Sequence, residues 1–557
     1  MTLILIPFLL VLSTAAAHDW LGWGGGSLNN RWAKHNKAIS SKSIKSLTHH
    51  CTIQHPIGAS ATPVVVGNKV YYPTWDGTFV ALNYKTCKIQ WQTNITTIIT
   101  TYKPLTPYHK AIMTAGSRTS PQISGDIIFL GTLVHALVLA LNRTTGDLLG
   151  APFQINPYPY AAITQSPTLF QGTLFIGSSS ADPPLTSPEG ILHPHVTGVF
   201  VALRFNPSTK VFNPLWNIST IPPHRLKQGW TGASVWGSQP AIDTRRRTVY
   251  IGTGQAHLIP PSVITCQVAN QFQPYTANDL DLCLPSDVWL NSVLAINIDT
   301  GKVRWVFQAP GGVDAWNFAC GYTGSGPQDE TDCPQVPGPD ADFGMAPAFV
   351  ASETGNPRRD SVVIGRKNGV VYSLSAETGQ VVWSSKAGPG GVGGGMVWGI
   401  AVDDARVYYA IVNTGYLEYR LTPSNATVHH SIYGALDLAN GSILWQTPVP
   451  GVGGFCHAPP SVVGDVVLVV RTGLDPLGDG SYDQTKGGLV ALEKETGEVL
   501  VDYELESNSH SGIAVKDGFL FVGTGYYVTR TPVSGGFHVF RVGRGGSTCR
   551  SRRLMSG

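Results

Sequence analysis

Charge is scarce in this chain. Only 13% of its 557 residues are charged, and 38 basic side chains nearly cancel 35 acidic ones, leaving a formal +3. So small an excess excludes the basic footprint that holds nucleic acid, and no nucleic-acid partner is expected. Low charge also excludes a helical bundle with charged outer faces and a solvated disordered chain. Long apolar runs are missing after residue 17, so no membrane span is expected in the body of the chain. No Cys-x-x-Cys or Cys-x-x-Cys-His occurs, which excludes a zinc knuckle and an attached c-type haem. The glycine-rich run 388–395 is followed by no Gly-Lys-Ser/Thr, so it is not a phosphate loop.

What is present points to export. Residues 1–17 form a short apolar run ending in Ala15-Ala16-Ala17 and read as a signal peptide, too short to span a bilayer. Five Asn-x-Ser/Thr sequons, at Asn94, Asn142, Asn217, Asn425 and Asn440, predict N-glycans on surface loops. Eight cysteines fit an oxidising compartment. Their spacing suggests the local pairs Cys51–Cys87, Cys266–Cys283 and Cys320–Cys333, with Cys456 and Cys549 left over. A basic stretch, Arg541 to Arg553, leads into a flexible tail at 546–557.

Between residues 18 and 545 a unit repeats. Its clearest copy is Ala295-Ile-Asn-Ile-Asp-Thr-Gly-Lys-Val-Arg-Trp305, and further copies begin at Ala81, Ala140, Ser373, Ala435 and Ala491, with a stretched one from Ala202 to Trp216. The Thr-Gly pair is a hairpin turn, because glycine accepts positive φ at little cost, and the closing Trp returns on an outer strand to pack on the next sheet. Each unit is preceded by a small-x-Pro step and two apolar runs. Clear copies begin at Pro63, Pro121, Pro167, Pro240, Pro347 and Pro459, and degenerate ones at Ile400 and Ile513. Two hairpins make a four-stranded blade, and eight units make an all-β, eight-bladed β-propeller. The eighth unit ends at Val542 without a closing strand. The N-terminal segment around Trp20 to Trp32 is the expected donor, fastening the ring and hiding its edges. A propeller closes on itself, so a monomer is expected.

The docking repeats, with Trp23-Gly-Gly-Gly, Asn30-Arg31, Ser117-Arg-Thr-Ser-Pro121, Val235-Trp-Gly-Ser-Gln-Pro240, Asp314-Ala-Trp-Asn and Gly338-Pro-Asp-Ala-Asp-Phe-Gly344, resemble the pyrroloquinoline quinone (PQQ) dehydrogenases, more narrowly the polyvinyl-alcohol-dehydrogenase branch. The resemblance covers nearly the whole mature chain. It implies PQQ near the propeller axis beside a calcium ion, an alcohol substrate, small or polymeric, and an external electron acceptor. The cofactor supplies the chemistry and the protein supplies position and field.

Positions flanking each inner hairpin converge on the axial funnel. They pool Arg118, Thr119, Gln165, Trp398, His457 and His510 with Gln255, Lys367, Asn413, Arg471 and Tyr526, a polar and cationic set suited to an anionic ligand. The resemblance gives several of them roles: Arg118 pairing a cofactor carboxylate, Trp236 as a flat floor under the quinone, and Lys367 polarising a quinone oxygen. Thr119, Gln165, Trp398 and Asn413 are further cofactor contacts. Asp314 is a candidate general base and metal ligand, with Asp182 and Gln255 as further ligands, each departing from the family's usual residue. His457 and His510 are alternative proton-transfer groups. A second reading stays open: a propeller without the quinone that binds a small molecule or catalyses a cofactor-free isomerisation or cyclisation in the same funnel.

Overall fold

A computed structural model describes residues 19–180, 186–187, 190–191, 196–270, 281–317, 320, 333–334 and 337–543, apart from 353–354, 392, 476–482, 484 and 529–530. The expected signal peptide, the tail at 546–557 and Asp182 lie outside the described residues.

Eight antiparallel sheets, each with four principal strands, form the blades of a propeller. Their innermost strands begin at Val64, Gln122, Thr168, Ala241, Ala348, Ala401, Ser461 and Ala514, each one or two residues after the expected Pro or Ile step. Pro fixes φ and lacks an N–H, so it ends the loop and leaves the next residue to open the ladder. The two middle strands of each blade are buried and the outermost alternates toward solvent, as in Val303–Gln308.

The repeat explains how blades join. In five of them the closing Trp lies on the glycine of the next blade's turn, and its Nε1 donates to the carbonyl three residues before that glycine. The bonds are Trp91 to Arg143, Trp216 to Ile298, Trp305 to Ala376, Trp383 to Leu438 and Trp445 to Lys494, at 2.9–3.2 Å. The glycine is required twice. Gly379 has φ +74°, and a Cβ there would sit 2.6 Å from the Trp305 ring.

The eighth blade closes differently from the expectation. Its outer strand is Leu47–His55, paired with Gly535–Val542, and not the Trp20–Trp32 segment. Leu47–His55 reads Leu-Thr-His-His-Cys-Thr-Ile-Gln-His and has only its last residue buried, so it carries little apolar periodicity. Cys51 stands opposite Val539, the register position of the docking Trp in other blades, as Trp305 stands opposite Ala295. Cys87 replaces the turn glycine of the first blade, at φ +56°. The Cys51–Cys87 disulfide therefore takes the place of the Trp–Gly dock at the ring closure. Cys266–Cys283 and Cys320–Cys333 also form as expected, and Cys456 is a buried free thiol.

Residues 20–33 instead plug the axis. Their backbone bonds to the innermost strands of five blades, at Val65, Ile242, Phe349, Val402 and Val462. Arg31 is fully buried and donates to the Trp23 and Pro460 carbonyls and to Ser461 Oγ. Burial lowers its pKa to about 9, and these acceptors compensate the buried charge.

Candidate functional site

Above the plug, loops from successive blades bring Arg118, Trp236, Lys367, Trp398, His457, His510 and Tyr526 into one cup. Trp398 is at its centre. It holds φ +71°, a conformation costly for a non-glycine residue, and such strain collects at functional sites. Its backbone is clamped from both sides: its N–H donates to the Gly344 carbonyl (3.0 Å), and its carbonyl accepts from Trp23 Nε1 (2.8 Å) in the plug. The Arg118 guanidinium, half-buried, lies over the Trp398 ring at 3.9 Å and near Trp75 and Tyr526. His510 stacks on Tyr526 at 4.0 Å and meets His457 edge-on at 5.3 Å.

The Gly338–Gly344 motif builds the other wall. Gly338 leaves room for the Asp314 carboxylate, and Gly344 for Trp236, whose ring a Cβ would meet at 3.0 Å. Asp342 Oδ2 accepts from Trp236 Nε1 (2.7 Å), which fixes the indole plane. Lys367 Nζ bridges Asp340 Oδ2 (2.8 Å) and Asp342 Oδ1 (3.0 Å) and sits 5.0 Å over Trp236. Burial lowers the Lys367 pKa, but the two carboxylates outweigh it and hold the ammonium charged above the ordinary lysine range. Asp340 and Asp342 were missed as site residues. The motif that carries them was visible, but nothing local in it shows that a lysine 25–27 residues on returns between them.

Other expected residues take different posts. Asp314 is buried, and its carboxylate accepts the backbone N–H groups of Asp340 (3.1 Å) and Ala341, so it holds the loop that carries Asp340 and Asp342. Burial raises its pKa against the opposing pull of Arg366. Gln255 Nε2 donates to the Trp316 carbonyl (3.2 Å). Thr119 Oγ1 accepts from the Gly131 N–H at the end of the strand Ile127–Gly131, and Asn413 ties the 413–417 turn through both atoms of its amide. Arg471 faces away, paired with Asp502 at 2.7 Å. Gln165 is fully buried, and neither atom of its amide has a hydrogen-bond partner among the described residues; the same holds for both ring nitrogens of His510.

His457 is half-buried on the cup wall. Burial, then the Arg118 and Lys367 cations, lower its pKa to about 4, so its imidazole is neutral at neutral pH. His510 is likewise driven well below the ordinary histidine value by burial, then by His457 and Arg118. The half-buried Trp236 indole, the Arg118 and Lys367 cations and the neutral imidazoles are the kinds of group that recognise a flat anion, with Lys367 shared by two carboxylates.

Comparison with known proteins agrees in fold and in sequence. Polyvinylalcohol dehydrogenase from a Pseudomonas species is 26% identical over 522 residues, 91% of this chain and 71% of that protein. The enzyme of the same name from Sphingopyxis sp. strain 113P3 is 24% identical over 561 residues, 94% of this chain and 74% of that protein. The chain is thus similar to polyvinylalcohol dehydrogenases over nearly its whole length. Residues 428–531 match the family model described as outer membrane protein assembly factor BamB, another propeller repeat. Among solved structures, quinohemoprotein alcohol dehydrogenase ADHIIG from Pseudomonas putida HK5 superposes with a TM-score of 0.65 at 16% identity, covering 97% of this chain and 82% of that one. A europium-containing methanol dehydrogenase gives 0.63 at 15% identity, covering 94% and 98%. At such identities the structural likeness establishes the eight-bladed propeller fold and no more.

Proposed function

We propose that this chain is an exported quinoprotein oxidoreductase that oxidises alcohol groups with PQQ seated in the axial cup. The observation that carries the reading is the convergence of Arg118, Trp236, Lys367 and Trp398, from separate loops, on one cup in a chain homologous to alcohol dehydrogenases. Two features fit a planar tricarboxylate quinone: the half-buried Trp236 indole with its plane fixed by Asp342, and the buried Gln165 amide, unpartnered among the described residues.

When bound, PQQ supplies a two-electron hydride acceptor. Arg118 would pair a carboxylate of the ligand, Trp236 would offer its face for stacking, and Lys367 would offer an N–H to a carbonyl oxygen. His457, half-buried on the cup wall, would be the proton acceptor for the alcohol hydroxyl. Asp314 is already engaged by two backbone N–H groups and acts as the wall's support. Electrons leave to an external acceptor.

The three disulfides fit an oxidising, extracellular or periplasmic compartment. We assign residues 1–17 as the leader and Asn94, Asn217, Asn425 and Asn440, all exposed, as glycan sites with the half-buried Asn142. Among the described residues no helix is long and apolar enough to cross a membrane.

The test is reconstitution of the purified chain with PQQ and an artificial electron-accepting dye. Dye reduction on adding primary, secondary or polymeric alcohols, and none without PQQ, is expected. Binding of PQQ with no alcohol-dependent reduction would contradict the oxidoreductase. One observation favours a second reading: His510 has two unpartnered ring nitrogens beside His457, a pair that could shuttle protons without a cofactor. That reading requires turnover in PQQ-free protein.

A further inference from the structure

The plug does not meet every blade alike. In five blades the second residue of the inner strand donates its N–H to a plug carbonyl: Val65 to Trp20, Ile242 to Ser27, Phe349 to Leu28, Val402 to Asn30 and Val462 to Arg31. The counterparts in the second and third blades, neighbours in the ring, are Ile123 and Leu169. Neither bonds to the plug among the described residues, and the Leu169 N–H goes to Gln122 Oε1 instead (3.2 Å). A cavity of about 170 Å³ lies in this arc, between the plug at Leu21 and Gly26 and the inner strands at Val64, Gln122, Ile123 and Leu169. It shares no lining residue with the cup.

One polar group in the cavity wall has no partner. Gln122 is 7% exposed, and its Nε2 makes no hydrogen bond among the described residues. The Leu169 N–H holds the oxygen end of the amide, so the nitrogen end is the one left to donate. That nitrogen lies against Gly22, where a Cβ would come within 2.3 Å of it. A buried donor without an acceptor is costly, and a ligand that supplies one removes the cost. Around this donor the wall is largely apolar, and among the described residues that line the cavity none is charged. The complement is a neutral molecule with an oxygen acceptor on an apolar body. An apolar cavity of about 150 Å³ holds benzene, so the space here suits about six or seven heavy atoms.

We propose that this arc is a second ligand site, separate from the cup, for a small neutral carbonyl compound. The ligand's oxygen accepts from Gln122 Nε2, and its hydrocarbon body packs on Leu21, Val64, Ile123 and Leu169. Apolar burial supplies the binding, and the one hydrogen bond selects a carbonyl over a hydrocarbon of the same shape. A carboxylate is disfavoured, because it would be buried with no cation beside it. The bound molecule joins the second and third blades to the plug where no backbone bond does. The site stands independently of what the cup holds.

The experiment titrates the full chain with cyclohexanone and with methylenecyclohexane, in which a CH2 replaces the oxygen, and reads both affinities by saturation-transfer NMR. Cyclohexanone is expected to bind saturably and at least about fivefold more tightly than the hydrocarbon, the difference one hydrogen bond makes. Gly26→Leu fills the cavity. Gly26 lies outside the left-handed region and no atom stands within 4 Å of its Cβ position, so the variant is expected to fold like the wild type by circular dichroism. It should weaken cyclohexanone by at least about tenfold. Gln122→Met keeps the bulk and removes the donor, and should bind the two probes within about twofold of each other. No saturable cyclohexanone binding by the wild type, or equal affinity for the two probes, overturns the proposal. Cyclohexanone binding that survives Gly26→Leu unchanged overturns it as well, by placing the ligand elsewhere, the cup included. Gln122→Met also takes the acceptor from the Leu169 N–H; should that variant not fold, the two probes on the wild type and on Gly26→Leu decide alone.

Discussion

If the Cys51–Cys87 disulfide does the work of a Trp–Gly dock, it is replaceable by one. The bridge spans 36 residues of sequence. Loop-closure entropy for that separation is worth about 4 kcal/mol, on the account in which a crosslink acts by restricting the unfolded chain. Unfolding entropy near 2.1 cal/mol/K per residue, over a propeller of this size, amounts to roughly 1.1 kcal/mol/K. Loss of the bridge should then lower the melting midpoint by about 3–4 °C. The double substitution Cys51→Ala, Cys87→Gly tests this without new strain, since residue 87 has φ +56°, which glycine accepts freely. The companion Cys51→Trp, Cys87→Gly rebuilds the dock of the other blades. Its indole N–H would meet the Tyr84 carbonyl, three residues before position 87, which now lies 3.8 Å from the Cys87 sulfur. Non-reducing thermal melts by circular dichroism should rank wild type above the Ala–Gly pair, with the Trp–Gly pair recovering at least half of the loss. Equal midpoints for the Ala–Gly pair and wild type, or a Trp–Gly pair that melts lower than the Ala–Gly pair, would refute the equivalence.

Further outcomes follow from the same structure. Gly379→Ala should destabilise by about 2–4 kcal/mol, combining left-handed strain with a clash on Trp305. Gly172→Ala, at φ +76° with no atom within 4 Å, should cost only about 1–2 kcal/mol; chemical denaturation of the pair separates the two causes. His457 binds fewer protons folded, where its pKa is about 4, than unfolded, where it is 6.5. Its contribution is therefore complete above pH 6.5, and stability falls as pH drops from there toward 4, readable in urea midpoints against a His457→Gln control. Arg118→Met should move the His457 titration upward in NMR spectra, because it removes a neighbouring cation; an unchanged titration would place Arg118 elsewhere.

The architecture was legible because it is written locally. Most turn glycines and closing Trp residues fall within eleven-residue units, and six of the eight inner strands start at a Pro step, so short windows contain the signal. The closure was misplaced for the same reason. The Trp20–Trp32 segment is conspicuous in aromatic and glycine content, but that composition serves the plug, whose bonds reach strands up to more than 400 residues away. The true closing strand is exposed and polar, and only its cysteine distinguishes it. In the cup, Arg118, Lys367 and the histidines were picked out from their places beside inner strands, and Trp236 from the family resemblance. The role of Asp314 was not, because a carboxylate that caps backbone and one that accepts a proton look alike in sequence. Asp340 and Asp342 became readable only once Lys367 was seen between them.

The central claim is that the cup receives PQQ through Arg118 and Trp236. Its most direct test is calorimetric titration of PQQ into the wild type, Arg118→Ala and Trp236→Ala, all shown folded by circular dichroism. The account expects one molecule bound per chain, with each variant weakened by at least about tenfold. Wild-type protein that takes up no PQQ, or variants that bind it as tightly as the wild type, would contradict it.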